Sequence, residues 1–332
     1  YASRGLGDVY KRQIGSGHIV RKVARTIAQT EQHSISKIYS RNINSSKLLA
    51  EKYNAIVCDS VDEMLNSSEI DGVYIATPQS SHYQYITKCL SARKPVFCEK
   101  PAVINVKQLN HCIDIAQKNG VYFSSVMSYK YGPAYIKLKN IIKNGSLGQL
   151  KSIYADFGYD VAAMPKRVRL IDPDCAGGVL FEMGVYLVSF ANDLCGNLTV
   201  DSVKSEILAN GVDIYDEFRL TDSNVNCDLV CSFKKVLTAE AKLSFENAEV
   251  ILPAFYRGCH YNIEYYNGEK EMCEYDFSYQ NQFDVVIKEI RDNRIQSERN
   301  SFDSMRKELE LLDSIRKKGN IIYPSMLEQI IL

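Results

Sequence analysis

The chain has no tryptophan among its 332 residues, so no indole can lie flat against a sugar ring, and any stacking platform must come from its 22 tyrosines or 12 phenylalanines. It has no excess charge of either sign: Lys+Arg and Asp+Glu both total 40, and no polyanion partner such as a nucleic acid is implied. Histidine is scarce, with five residues at 18, 33, 82, 111 and 260, and the ten cysteines form no C-x-x-C pair. No zinc-ligand spacing results, and no metal is expected. Several cysteines stand inside apolar runs, a pattern that suggests reduced, packed thiols in a cytoplasmic protein. No uninterrupted apolar stretch approaches the ~20 residues of a membrane span, because Glu182 breaks the run before Tyr186. Internal repeats and low-complexity segments are also missing. What remains is 45% hydrophobic and long enough for two domains, each with its own core.

The most informative stretch that is present is Cys98-Glu99-Lys100-Pro101, which closes the apolar run Pro95-Val96-Phe97. It sets an amine at the end of a buried strand, and in open parallel sheets ligands sit outside those carboxyl ends. A cis Lys100-Pro101 bond would cost only about 0.5–1 kcal/mol. The alternative is a surface Glu-Lys pair. Upstream, Ile70 to Ala76 reads as another buried strand ending at Thr77-Pro78, followed by a polar turn and His82. Further upstream, Ile14-Gly15-Ser16-Gly17-His18-Ile19-Val20 opens a helix continued by Val23, Ala24 and Ile27. This is a G-x-G-x-x-V form of the dinucleotide turn: Gly15 and Gly17 allow close backbone approach to a pyrophosphate, with His18 and Ile19 at the helix start.

Residues 1–13 read differently. A first Rossmann strand should be nearly continuously apolar, yet Lys11-Arg12-Gln13 stands before the glycine turn. The segment is similar to a peptide translated from sequencing-adaptor DNA, so the expectation is a non-native segment over 1–13 with the native first strand lost. An unusual native terminus is the alternative. The second strand, Ser34 to Arg41, ends in Ser40-Arg41 where an NAD site usually carries an acid. A hydroxyl and a guanidinium suit a phosphate dianion, which favours NADP over NAD. Arg41 as a solvated loop residue is the competing reading.

Helical spacing over Asn105 to Asn119, a strand from Val121 to Met127, a helix from Pro133 to Asn144 and the turn Gly145-Ser146-Leu147-Gly148 follow in order. Period-two segments then recur near Gln149–Tyr159, Cys227–Phe233, Ala239–Phe245 and Tyr261–Tyr266, with Asn267-Gly268 as a hairpin signal and a last helix ending at Gly319. Between them lies Gly177-Gly178-Val179-Leu180-Phe181-Glu182-Met183-Gly184-Val185-Tyr186. Its paired glycines allow approach to a ligand, and Glu182 and Tyr186 share a face if the segment is helical.

In order and spacing these four motifs resemble the Gfo/Idh/MocA oxidoreductases, from about Ile14 to the C-terminus. The resemblance implies an α/β chain: an N-terminal Rossmann domain over 14–126, then an α+β domain over 127–332 with an open, mostly antiparallel mixed sheet that serves as a homodimer or higher homo-oligomer interface. It implies hydride transfer between NADP (or NAD) and a hydroxyl-bearing carbon of a sugar, polyol or cyclic diol. Tyr186 would exchange the hydroxyl proton, Lys100 would supply the cation that a phenol of ordinary pKa near 10 needs, and Glu182 would stand where many members carry Asp. Gly15, Gly17, His18, Ile19, Ser40, Arg41, Thr77, Pro78, His82, Glu99 and Lys100 would line the cofactor, with His82 in a structural hydrogen-bonding role. Lys130 and Tyr131 would meet the substrate, unless Lys130 is a solvated charge. An NAD-dependent glycosidase of the same fold and a non-catalytic dinucleotide sensor remain the alternatives.

Overall fold

A computed structural model describes residues 9–15, 17–27, 33–66, 72–164 and 168–330. The chain divides into two compact units. The first holds Tyr1–Ala102, Asn110–Val126 and Ser278–Glu298; the second holds Val103–Leu109, Met127–Phe277 and Arg299–Leu332. The second domain expected over 127–332 is therefore not continuous, because one later helix returns to the first unit.

The first unit is built from β1 (Val9–Ile14), α1 (His18–Ile27), β2 (His33–Tyr39), α2 (Ile43–Tyr53), β3 (Ile56–Val57), α3 (Val61–Leu65), β4 (Gly72–Ile75), α4 (His82–Ser91), β5 (Val96–Cys98), most of α5 (Val106–Asn119) and β6 (Phe123–Ser125). Its six strands run in the order β3-β2-β1-β4-β5-β6, and every pair is parallel. That is the doubly wound order, with its switch point between β1 and β4. Val73, Ile75, Val96 and Cys98 are buried, as strands covered on both faces must be.

The first-strand position is occupied by the segment Val9–Ile14 itself. Val9–Ile14 pairs with β2 on one side and with β4 on the other, Lys11 opposite Gly72 and Gln13 opposite Tyr74. A β-ladder is made by main-chain N–H and C=O groups, which Lys, Arg and Gln supply as well as Val does. Side-chain polarity therefore does not bar a segment from the central position. Residues 1–8 lie outside the described residues.

The second unit contains α6 (Pro133–Lys143), β7 (Leu150–Gly158), α7 (Val185–Cys195), β8 (Thr199–Ile207), β9 (Asp213–Thr221), β10 (Asn226–Ser232), β11 (Ala241–Phe245), β12 (Ala248–Leu252), β13 (His260–Tyr265) and β14 (Lys270–Glu274). Next in the chain, α8 (Gln280–Arg291) belongs to the first unit, and α9 (Phe302–Gly319) completes the second. The eight strands lie in the order β14-β13-β12-β11-β7-β10-β9-β8, with β7 and β10 the single parallel pair among the described strands of this sheet. Inward positions alternate: Cys227, Leu229 and Cys231 on β10, Leu243 and Phe245 on β11, Val250 and Leu252 on β12 are all buried. The core is closed by α7 and α9, whose Leu309, Leu312 and Ile315 are each worth about 1.5–3 kcal/mol when buried. Ser301 caps α9 by accepting from the Ser304 N–H, and Asn320 ends it in the left-handed region.

One helical run, Pro173–Cys195, has 23 residues and, over an 18-residue window, a mean hydropathy of 1.3, enough by length and composition to cross a membrane although Glu182 interrupts it. Yet 78% of that window is buried inside the fold, so its apolar surface is already spent on the core. All ten cysteines are free thiols, eight of them buried.

Candidate active site

In the first unit the motifs converge on the carboxyl edge of the parallel sheet. Gly15 follows β1, its N–H donates to the Tyr39 carbonyl at 2.8 Å, and its φ of +116° is open only to glycine. A Cβ there would collide with the Ala76 carbonyl, so Gly15 is demanded by the protein's own packing. Gly17 is different: a Cβ would meet nothing within 4 Å. The residue that the fold does not require to be glycine faces open space just before the N-terminus of α1, where a helix favours an anion. Ile19 lies in the first turn of α1, and Val20, Val23 and Ala24 are fully buried beneath it. Ser16 and the side chain of His18 lie outside the described residues.

At the tip of β2, Arg41 is exposed, and Ser40 Oγ accepts from the Asn42 N–H at 3.3 Å. Thr77 and Pro78 follow β4, with Ser81 Oγ within hydrogen-bond distance of the Thr77 hydroxyl (2.8 Å) and of the Pro78 carbonyl (2.9 Å), its single proton serving one of them at a time. His82 is 1% exposed, and its two nitrogens lie 2.9 Å from the carbonyls of Thr77 and Pro101. It is a strut between the β4 and β5 loops, which accounts for its burial. Glu99 is also buried, and its Oε1 accepts from the Tyr74 hydroxyl at 2.5 Å. Burial and the Glu99 charge push the Tyr74 phenol well above its ordinary pKa. Glu99 thus anchors the end of β5, while Lys100 is partly exposed beside it and the Lys100-Pro101 bond is cis. A small apolar pocket lined by Gly72, Pro95, Phe97, Phe283 and Ile287 lies at the opposite, amino end of β4 and β5.

In the second unit the glycine-rich stretch forms a π-turn, Leu180–Gly184, that runs directly into α7. Such turns are rare and are found mostly at functional positions. Glu182 sits in the turn, 16% exposed in its side chain, with Arg169 at 3.6 Å. Tyr186 is the second residue of α7 and is partly exposed; its ring meets Phe157 (5.8 Å, 69°) and Tyr256 (6.1 Å, 68°) edge to face. The paired glycines were expected to admit a ligand. Instead, a Cβ at Gly177 would strike the carbonyls of Leu170 and Arg169, and one at Gly178 would fall into the Asp213 carboxylate. They serve the fold of the turn itself.

The substrate roles expected of Lys130 and Tyr131 are not supported by their surroundings. Lys130 is 3% exposed, and its ammonium donates to Asn300 Oδ1 and Ser304 Oγ, both at 2.9 Å, with Asp193 at 3.8 Å. Burial pulls its pKa down. Tyr131 is likewise 3% exposed, under the Arg299 guanidinium at 5.8 Å. A lysine that far from water is held by pairing, which the sequence could not display because its partners lie more than sixty residues away.

Nearby Glu308 is buried, and desolvation pushes its carboxyl up from 4.5 to about 7 against the pull of Lys130. The folded protein therefore holds a proton there that the unfolded chain has released. The associated stability is fully present below about pH 4.5 and lost as pH rises through about 7, a total of about 3 kcal/mol at 1.36 kcal/mol per unit. We expect the stability difference between wild type and Glu308→Gln, from urea midpoints, to shift in favour of the variant by most of that amount between pH 5.5 and pH 8. Parallel curves would show that Glu308 titrates as in water.

Sequence reasoning missed Arg169, Phe157 and Tyr256 around the proposed catalytic turn, and Asp213 behind it. For Asp213 a signal existed: an acid beginning a strand whose later residues alternate, displaced inward by an irregularity in β8–β9 pairing.

A doubly wound sheet with a glycine turn at its switch point and a lysine at the end of β5 is the architecture of a dinucleotide-binding domain. Residues 13–126 match the family model described as oxidoreductase family, NAD-binding Rossmann fold, and residues 135–249 match the GFO/IDH/MocA C-terminal domain. The chain belongs to the Gfo/Idh/MocA oxidoreductase family. It is 26% identical to the scyllo-inositol 2-dehydrogenase (NADP(+)) of Bacillus subtilis over 94% of this chain and 97% of that one. It is 28% identical to the trans-1,2-dihydrobenzene-1,2-diol dehydrogenase of Mus musculus, over 55% of each. In fold it is similar to a 3-ketoreductase from Actinomadura kijaniata crystallised with NADP and TDP-benzene (TM-score 0.85, 18% identity, 94% of this chain and 98% of that one).

Proposed function

We propose that this oxidoreductase interconverts a secondary alcohol and a ketone on a polyol, sugar or cyclic diol, and that it prefers NADP to NAD. The observation that carries the reading is the sheet edge of the first unit, where the Gly15–Gly17 turn, Ser40-Arg41, Thr77-Pro78 and Lys100 stand at the carboxyl ends of the four neighbouring parallel strands β1, β2, β4 and β5. The residues fit a dinucleotide: Gly17 leaves open space at a helix N-terminus, and Arg41 is exposed at the strand tip where a 2′-phosphate would lie. When bound, the nicotinamide supplies the hydride acceptor or donor. Tyr186 takes the hydroxyl proton in the oxidative direction and returns it in the reverse. Lys100 contributes a positive charge at the end of β5, on the cofactor side of the site. The preference for a hydroxylated substrate rests on the inositol and diol dehydrogenases to which the chain is similar. We further propose a cytoplasmic homodimer joined through the open face of the eight-stranded sheet, a reading supported by the free thiols and by Tyr154, 43% exposed on β7.

The test is a panel of scyllo-inositol, trans-1,2-dihydrobenzene-1,2-diol, monosaccharides and an aryl glycoside with NADP⁺ and NAD⁺, followed by absorbance of the reduced cofactor and by release of the aryl group. Net reduction with at least one member is expected. Consumption of a glycoside without net reduction would replace this reading by the glycosidase one, and cofactor binding without turnover of any member by the sensor. On cofactor choice, Arg41→Ala should weaken NADP binding by about 1.5–3 kcal/mol, the worth of a charged hydrogen bond, and leave NAD nearly unchanged. Equal losses for the two would remove Arg41 from phosphate recognition.

A further inference from the structure

Behind the π-turn lies an acidic pair that the chemistry above does not use. Asp213 and Asp216 are both 0% exposed. Strict alternation would send acids three apart to opposite faces of β9, but the β8–β9 register shifts between Glu206 and Ile207 and turns both inward. If both were ionised, Oδ1 of each would be a buried acceptor without a donor. One shared proton satisfies both. Burial and the neighbouring Asp213 charge hold the Asp216 carboxyl well above the usual range, so Asp216 keeps the proton and donates it to Asp213.

Asp213 spends its other oxygen on the catalytic turn. Oδ2 accepts from the Leu180 N–H at 2.7 Å, and the carboxylate packs on Gly178, whose φ of +143° brings the backbone against it. Leu180 is the first residue of the π-turn, and its N–H is one of those that a helix start leaves without an internal partner. The next residue, Phe181, is stacked on Tyr323 (5.0 Å, 19°) with the Arg316 guanidinium 5.8 Å and 4.4 Å from the two rings. The turn is thus held from behind at Gly178, Leu180 and Phe181, while Glu182 and Tyr186 stay partly exposed.

We propose that Asp213 is a positioning residue: its hydrogen bond to Leu180 and its contact with Gly178 set the start of α7 and hence the place of the Tyr186 hydroxyl during proton transfer. This rests on the reading of Tyr186 as the proton-transfer group. Asp216 serves it by donating a hydrogen bond, a task an amide also performs.

The full-length chain with Asp213→Ala, Asp213→Asn, Asp216→Asn and Tyr186→Phe is compared on the best substrate of the panel, with kcat normalised to the number of NADPH-binding sites found by fluorescence titration. Asp213→Ala should lower kcat by about 10- to 100-fold, the scale of an ångström-sized misplacement, with NADPH affinity and KM within about twofold of wild type. Asp213→Asn keeps a carbonyl acceptor for Leu180 and should restore most of the rate, and Asp216→Asn should match wild type. Wild-type kcat per site in Asp213→Ala overturns the proposal, as does an Asn variant no better than the Ala variant. Should Asp213→Ala fail to fold, Asp213→Glu decides: the acceptor is kept but moved by one methylene, so a tenfold loss at unchanged NADPH affinity supports positioning and a normal rate overturns it. A fully active Tyr186→Phe would instead remove the premise, whereas an inactive one beside normal Asp213 variants would sink the positioning role alone.

Discussion

Tyr186→Phe is expected to lower kcat by about 10²–10⁴-fold, the range of general acid–base catalysis, with cofactor binding nearly unchanged. The substitution removes one oxygen and keeps the ring against Phe157 and Tyr256, so the helix start has no packing reason to move. Lys100→Met should also lower kcat, because it removes the charge that stands at the end of β5 on the cofactor side. If Tyr186→Phe turns over normally, the proton travels by another route. His82 is a poor substitute, with both ring nitrogens set against backbone carbonyls, and Lys100 would become the first candidate.

Lys130→Met is expected to cost about 3–5 kcal/mol of folding stability, the usual penalty for removing one partner from a buried ionic cluster. The ammonium lies among Asn300, Ser304 and Asp193, and Glu308 feels its charge. Methionine fills nearly the same volume but leaves the acids without their cation. The loss should be larger at pH 8 than at pH 6, because Glu308, with its carboxyl at about 7, can take up a proton at the lower pH and relieve the site. Urea midpoints at the two pH values measure this, and KM for the substrate should be unaffected in the protein that remains folded. A changed KM with unchanged stability would return Lys130 to the substrate-binding role that its position in Ser128-Tyr129-Lys130-Tyr131 suggests.

These two residues show what was legible in advance. Tyr186 could be picked out because its motif is local: ten consecutive residues carry the glycines, the acid and the tyrosine. Lys130 also stood in a local motif, yet its partners are Asp193, Asn300, Ser304 and Glu308, brought together only by folding. The strands divided the same way. Apolar alternation revealed β7, β10, β11 and β13, but β8, with pattern Thr-Val-Asp-Ser-Val-Lys-Ser-Glu-Ile, has too few buried positions to stand out. It is a strand because β9 offers it a ladder.

The sequence by itself determined the class: a glycine turn before a helix, two apolar strands ending in Thr77-Pro78 and Lys100-Pro101, and a late Gly-rich stretch with a tyrosine are consequences of local chemistry and spacing. It also determined the break between the sheets, since a Gly-x-Leu-Gly turn ends one run of helical spacing and opens a run of period two. Only the tertiary structure decided that Lys11-Arg12-Gln13 occupies a central strand, because main-chain pairing is indifferent to those side chains. It alone decided that α8 belongs with the first unit, that Gly177 and Gly178 make room for carbonyls and a carboxylate rather than for a ligand, and that Lys130 is an interior cation. Except at Gly177, whose carbonyl neighbours lie five to eight residues back, the deciding partner lies far along the chain, and burial sets the energy of the contact: a charge or a close backbone approach that costs little in water becomes decisive once water is excluded.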